Sequence, residues 1–419
     1  MRGILLTGVV LGFVAVSARP ASARVTLSGV MERERATITI YRSDVSLVQE
    51  WRTVGLRRGD NVLQLDWAGV NIDPMSLRLT TPPGSGLTLT DTALADNAQA
   101  VHWTVNAAAA KEVPLSVSYY LRGLSWSTEY TAWLDAEEKH LTLTGDAVLV
   151  NRSGEDFRGV AVRLLLGDLR FMSPAMLAAK SQVAQAPALA GRAMDSMAME
   201  AMPAPPAFEQ EQLADYNLFA LPKPVDLISG ETRRLPLLES KLIEFKRVYR
   251  FDPRINGQWP MVHFRIDNKE DVGLGRALPP GIVRAFRADA QGVLSLVGED
   301  LLDYRPVGEE VRLFFGFSRD IVVEAKQMAI NYEPAPSRQG QQAHYVVRDF
   351  QVTVRNRRTE ASNVEIRQYY QGKVDKASDE YKDIDANTIQ FAFSLKAGDT
   401  KVITYRTREF QWGPAPEQP

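Results

Sequence analysis

The chain has 419 residues, with 49 basic and 51 acidic side chains, a net charge of −2 and 45% hydrophobic residues. That balance leaves no electrostatic footprint for nucleic acid, and the apolar content excludes global disorder. Cysteine is absent, which excludes disulfide staples, zinc–thiolate sites, a cysteine nucleophile and a lipid-modified N-terminal cysteine.

The first residues read as an export signal. Arg2 precedes an apolar run from Ile4 to Val16, and Ala21-Ser22-Ala23 supplies the small residues a signal peptidase reads. Cleavage is expected between Ala23 and Arg24, so residues 1–23 form the signal. The apolar run is short for a membrane span, and Arg19 and Pro20 interrupt its end. No later stretch is long and apolar enough to span, so the expectation is an exported chain without a membrane span, periplasmic or associated with the cell envelope.

From there the dominant period is two. Ile38 and Ile40 alternate with threonines, and Leu63, Leu65 and Trp67 with polar residues. Leu141-Thr142-Leu143-Thr144 repeats the pattern, Val160, Val162, Leu164 and Leu166 share a face, and Phe350, Val352 and Val354 do the same. Ile389, Phe391, Phe393 and Leu395 close the series. Such alternation places one face of each strand on a core and predicts antiparallel sheets. Turn residues fall between the runs: Arg58–Asn61, Asn151–Gly154, Asp289–Gly292 and Lys396–Asp399 are expected hairpin connections.

Two stretches depart from this pattern. Met172 to Leu221 is rich in alanine, proline, methionine and glutamine, and reads as a disordered insertion with helical pieces near Met176 to Ala184. Glu333-Pro334-Ala335-Pro336-Ser337-Arg338 reads as a linker. The predicted fold class is all-β, with tandem antiparallel immunoglobulin-like β-sandwiches. The expected organisation is an N-terminal β-domain over 24–110, a central β-domain over 111–335 containing the insertion at 172–221, an immunoglobulin-like sandwich over 336–412, and a disordered tail over 413–419.

Candidate chemistry is sparse. Neither Gly-x-Ser-x-Gly nor His-Glu-x-x-His occurs, and His102, His140, His263 and His344 share no ligand spacing. Glycoside hydrolysis needs two carboxylates flanking a cleft; Glu155-Asp156 and Glu299-Asp300 with Asp303 are the obvious acids. Both sets fall where turns and strand ends favour solvated acids. Arg58-Gly59-Asp60 is integrin-like but is ordinary turn chemistry, Asn151-Arg152-Ser153 is a glycosylation sequon, and Gly273-Leu274-Gly275 lacks the dinucleotide context. Trp126, Trp133 and Trp259 could line a sugar surface, although aromatic residues in sandwiches are more often core. Met194, Met197, Met199 and Met202 are thioethers spaced closely enough to wrap Cu(I), against the alternative of pliant apolar residues in low-complexity sequence.

The blocks SVSYYLRGLSWSTEYTAWLD (Ser116–Asp135) and NRSGEDFRGVAVRLLLGD (Asn151–Asp168) resemble the domain-of-unknown-function 4139 family, also described as mucoidy-inhibitor-A-like. LPKPVDLISGETRRLPLLESK (Leu221–Lys241), KRVYRFDP (Lys246–Pro253), LPPGIVRAFRADAQGVLSLVGED (Leu278–Asp300) and AGDTKVITYR (Ala397–Arg406) fit the same order. Ala36–Val70 is similar to the small β-domain that often precedes it. The coiled coil that many relatives place between the two has no counterpart in the stretch from Val70 to Lys111. The resemblance implies a β-rich exported protein and supplies no catalytic residue and no cofactor. Together these features predict a non-enzymatic envelope protein that binds an envelope protein or polysaccharide partner and no nucleic acid. The alternatives are a carboxylate-based hydrolase of envelope polysaccharide or peptide, and a copper-binding protein.

Overall fold

The computed structural model describes residues 26–28, 33–94, 99–167, 169, 209–213, 216–256, 259–336 and 341–416. The expected cleavage site at Ala23 and Arg24 and the methionines 194, 197, 199 and 202 lie outside them. In chain order the strands are β1 (Thr26–Ser28), β2 (Arg35–Ile40), β3 (Ser46–Leu56), β4 (Gly59–Asp66), β5 (Arg78–Thr80), β6 (Leu87–Leu94), β7 (Ala100–Ala107), β8 (Lys111–Leu121), β9 (Leu124–Leu134) and β10 (His140–Asn151). Then follow β11 (Phe157–Leu166), β12 (Glu209–Leu213), β13 (Tyr216–Ala220), β14 (Val225–Leu227), β15 (Thr232–Glu239), β16 (Ile243–Glu244), β17 (Lys246–Phe251), β18 (Met261–Asp267) and β19 (Gly281–Ala288). The last are β20 (Leu294–Leu302), β21 (Glu310–Phe317), β22 (Ile321–Pro334), β23 (Ala343–Asn356), β24 (Ser362–Tyr369), β25 (Lys373–Ala377), β26 (Lys382–Asp385), β27 (Thr388–Leu395) and β28 (Thr400–Trp412). The fold is all-β and of the sandwich type, and the sheets form no barrel among the described residues.

Period-two patterning explains the strands. In β10 every second residue from Leu141 to Leu149 is buried, and in β8 Val113, Leu115, Val117, Tyr119 and Leu121 are. Burying each large apolar side chain stabilises the fold by roughly 1.5–3 kcal/mol. The chain divides into two compact units: described residues up to Trp126 with those between Leu149 and Arg233, and Ser127–Val148 with those from Arg234 onward.

The first unit holds a four-stranded sheet, β1-β4-β7-β6, and a larger one ordered β12-β13-β11-β2-β3-β8-β5 with β14 beside β11. The second holds three sheets: β15-β10-β9-β19-β20, then β21-β18-β17-β24-β27-β26, then β22-β23-β28-β25. The middle sheet of the three serves two cores. Phe264, Ile266, Val311 and Leu313 pack with Tyr130, Ala132, Leu143, Val283 and Ala285. Tyr249, Phe251, Val364 and Ile366 of the same sheet pack instead with Val323, Val352, Val354 and Ile403. Two sandwiches thus share one sheet.

Several expectations need correction. Among the described residues β11 pairs in parallel with β2, β17 with β24, and β19 with β9. Each joins strands far apart in sequence, as parallel pairing requires, so alternation alone does not fix direction. Among the four expected hairpins only Asp289–Gly292 joins paired strands. The turns at Arg58–Asn61, Asn151–Gly154 and Lys396–Asp399 each lead from one sheet to another. Glu333-Pro334 is no linker: it ends β22, where Glu333 faces Tyr345 and Pro334 faces His344 across a hairpin. The expected insertion, Met172–Leu221, ends in order, because β13 pairs with both β11 and β12 and buries Leu218 and Phe219. Gly413, expected to open a disordered tail, is held by hydrogen bonds from its N–H to Gln342 O (2.8 Å) and to its carbonyl from His344 Nδ1 (3.0 Å).

Candidate functional site

Two cores under one sheet leave a seam. Val262 packs against both cores, and around it opens a groove of about 340 Å³. Tyr249, Val262, Phe264, Val297 and Phe315 form its apolar lining, and Phe317 is 51% exposed beside it. The rings support one another: Phe264 stacks on Phe245 at 4.3 Å and meets Phe315 edge-on at 5.0 Å. Such contacts fix the floor's shape, since offset and edge-on ring pairs add about 0.5–1.5 kcal/mol beyond burial.

Charge lies on the rim. Glu138 occupies the turn between β9 and β10 in the left-handed region, with φ 54°, a conformation seldom adopted by residues other than glycine. Its carboxylate accepts hydrogen bonds from Arg247 and Arg287. Burial pushes its pKa up, but hydrogen bonding and charge from Arg247, then Arg287, outweigh this and hold it below the ordinary range. Two further arginines behave differently. Arg319 lies over the Trp259 ring at 4.2 Å and Arg358 over the Tyr249 ring at 5.5 Å. Among the described residues neither has a carboxylate within 4.0 Å. The N–H of Arg357 donates to Asp320 O at 2.8 Å, so Arg319 and Arg358 spring from turns tied together.

The first unit contains a different charged group, buried except for the half-buried Arg33. Glu50 is wholly buried and accepts from Tyr119 OH (2.9 Å) and from Arg52 Nε and Nη2 (3.1 and 2.9 Å). Arg33 bridges Glu50, 3.1 Å from its Nε, and Glu155. Glu155 is 1% exposed and its Oε2 has no partner. Burial raises its pKa to about 7 against the pull of Arg33, with the Glu50 charge adding to the rise. The expectation of a solvated turn acid is therefore wrong for Glu155. The Asn151 amide turns the chain inward: its Nδ2 donates to Glu155 O and Leu227 O, both at 2.8 Å. Asn151 is itself buried, which closes the sequon to a glycosyl group in the folded chain.

The other candidate acids do not converge. Asp156 accepts from Ser229 N (3.0 Å). Glu299 pairs with Arg284 on the sheet surface at 2.7 Å, and Asp300 accepts from the backbone N–H groups of Leu301 and Phe314 at 2.9 and 2.7 Å. Asp303 is exposed. Among the described residues no three His, Asp or Glu side chains are arranged to hold a metal ion. His140 pairs with Asp135 at 2.9 Å, His102 is half-buried, and His344 is buried. His263 is buried with both ring nitrogens unpartnered, and burial, then Arg250, Arg312 and Arg265, lower its pKa to about 4. Trp126 is core, whereas Trp133 is 40% exposed beside Phe286 (5.6 Å). In the Arg58-Gly59-Asp60 turn, Asp60 accepts from Asn106 Nδ2 at 2.7 Å. No helix among the described residues is long and apolar enough to cross a membrane, which says nothing of membrane crossing by strands.

Sequence reading missed the groove's arginines, which lie in turns without a motif. It also missed Glu50 and Arg52, although a signal was present. Both occupy the apolar parity of β3, between Val48 and Val54, where charge interrupts the alternation. The family model described as "Domain of unknown function (DUF4139)" matches residues 115–409, more than half of the chain. A search of curated proteins finds no match.

Proposed function

The chain belongs to the DUF4139 family, and we propose that it is an exported, non-enzymatic protein of the cell envelope that works by binding a partner at the seam groove. One observation carries this reading: an open groove with a ring-lined floor has two guanidinium groups beside it that have no carboxylate partner among the described residues. Convergent polar groups over an apolar floor are the usual anatomy of a recognition site. The signal-like first residues support export, and the tandem sandwiches support a scaffold that presents surfaces. The weighed acids support binding over hydrolysis. Glu155 is inaccessible, Glu299 is engaged by Arg284, and Asp300 is engaged by the backbone N–H groups of Leu301 and Phe314.

Site-specific photo-crosslinking in intact cells tests the reading. A photoreactive residue at Phe317 is expected to give a discrete adduct with an envelope protein or polysaccharide. The same group at Lys376, exposed on β25, is expected to give none. Absence of any adduct from Phe317 and from Val297 would refute the groove as the working surface.

A further inference from the structure

We propose that the groove takes an acid-bearing apolar segment of a polypeptide, with its carboxylates held between Arg319 and Arg358 and its side chains laid on the ring-lined floor. This rests on the binding role argued above and adds the chemistry of the occupant.

Charge complementarity leads the case. Arg247 is neutralised within the groove by Glu138. The remaining charged lining residues are Arg319, Arg358 and Asp320, which leaves an excess of one positive charge. A guanidinium held over a ring can still donate from its N–H groups, which suits a carboxylate. The hydrogen bond between Arg357 N and Asp320 O holds the two turns together, so the pair is preorganised before an occupant arrives. The floor supplies rings and aliphatic groups, while the Ser318 hydroxyl accepts from Ile321 N at 3.2 Å. An extended segment alternating apolar and acidic residues places its apolar side chains on the floor and its acids toward the rim.

The test uses the full chain and fluorescence anisotropy. The probes are a fluorescein-labelled acetyl-Asp-Phe-Asp-Leu-Asp-Phe amide, the same peptide with Lys for each Asp, and polygalacturonate as competitor. The acidic peptide is expected to bind saturably, and the Lys peptide at least about tenfold more weakly. Combining Arg319→Glu with Arg358→Glu is expected to weaken the acidic peptide by at least about tenfold and to reverse the preference, while Arg58→Glu changes nothing. Thermal unfolding checks that the double variant is folded, and single Arg319→Gln and Arg358→Gln changes replace it if it is not. Equal binding of both peptides, or indifference to the arginine changes, overturns the proposal. So does full displacement by polygalacturonate, which would assign the groove to an acidic polysaccharide. A Phe317 adduct that survives the charge reversal leaves the binding role standing and removes only the acidic occupant. Loss of every adduct in the unaltered chain removes the role itself.

Discussion

Arg33 donates to the carboxyl of Glu155, 122 residues further along the chain, and the two form a bridge between a half-buried arginine and a buried acid in the first unit. Arg33 also meets Glu50, while Glu155 has no second donor and leaves Oε2 unpartnered. The four charges of Arg33, Arg52, Glu50 and Glu155 balance only when Glu155 is ionised, which burial resists.

That conflict predicts a pH dependence. The folded pKa of Glu155, about 7, lies above its ordinary value of 4.5. Its stabilising contribution is therefore complete below pH 4.5 and is lost as pH rises to about 7. The difference amounts to about 3 kcal/mol at most. Urea unfolding followed in the first unit should show Glu155→Gln flattening the loss between pH 5 and pH 8. A slope unchanged by Glu155→Gln would show that the carboxyl does not titrate there. Arg33→Ala leaves Glu155 and Glu50 short of a cation and should cost about 3–5 kcal/mol.

His263 carries the opposite sign. Its folded value of about 4 lies below the ordinary 6.5, so stability from the neutral ring is present above pH 6.5 and is lost as pH falls toward 4. Proton NMR should place the His263 midpoint near 4. His263→Leu, which removes two unpartnered ring nitrogens, should leave the second unit as stable at pH 7 and less sensitive to acid. A midpoint near 6.5 would mean that the ring is hydrated.

Asn356 and Asn151 close their turns alike. Asn356 Nδ2 donates to the carbonyls of Glu360 (2.9 Å), Leu395 and Lys396 (both 3.0 Å), and its Oδ1 accepts from Arg358 N at 3.0 Å. In the same way Asn151 Oδ1 accepts from Ser153 N at 3.0 Å. Buried groups that lose their donors cost about 1–3 kcal/mol each. Asn356→Ala should therefore lower the unfolding midpoint sharply, and it should also loosen Arg358 and weaken the groove. Asn151→Ala should destabilise the first unit alone. Calorimetry with two resolved transitions would separate these outcomes, and no change in either transition would contradict the role of the two amides.

Gly123 offers a backbone test. It has φ 90°, and a Cβ there would come within 2.7 Å of the Arg152 carbonyl, whose own N–H donates to Gly123 O at 2.6 Å. Gly123→Ala meets both a left-handed penalty and a backbone contact, and should cost more than about 1 kcal/mol. Retention of the wild-type unfolding midpoint would show that the turn relaxes at no cost.

Alternation by itself determined that this chain is built from half-buried strands, because a side chain on every second residue must face either core or water. Turn residues fixed where the chain reverses. They did not fix what each strand pairs with: Lys396–Asp399 reverses the chain as expected, yet it passes from β27 beside β24 to β28 beside β23. Backbone hydrogen bonding is the same for every partner, so neighbours are chosen by which apolar faces bury together across long separations. The same holds for sites. Glu155 reads as a solvated turn acid until Asn151 folds the turn inward onto Arg33, and Arg319 and Arg358 carry no local signature until two sandwiches share a sheet and open a seam beside them.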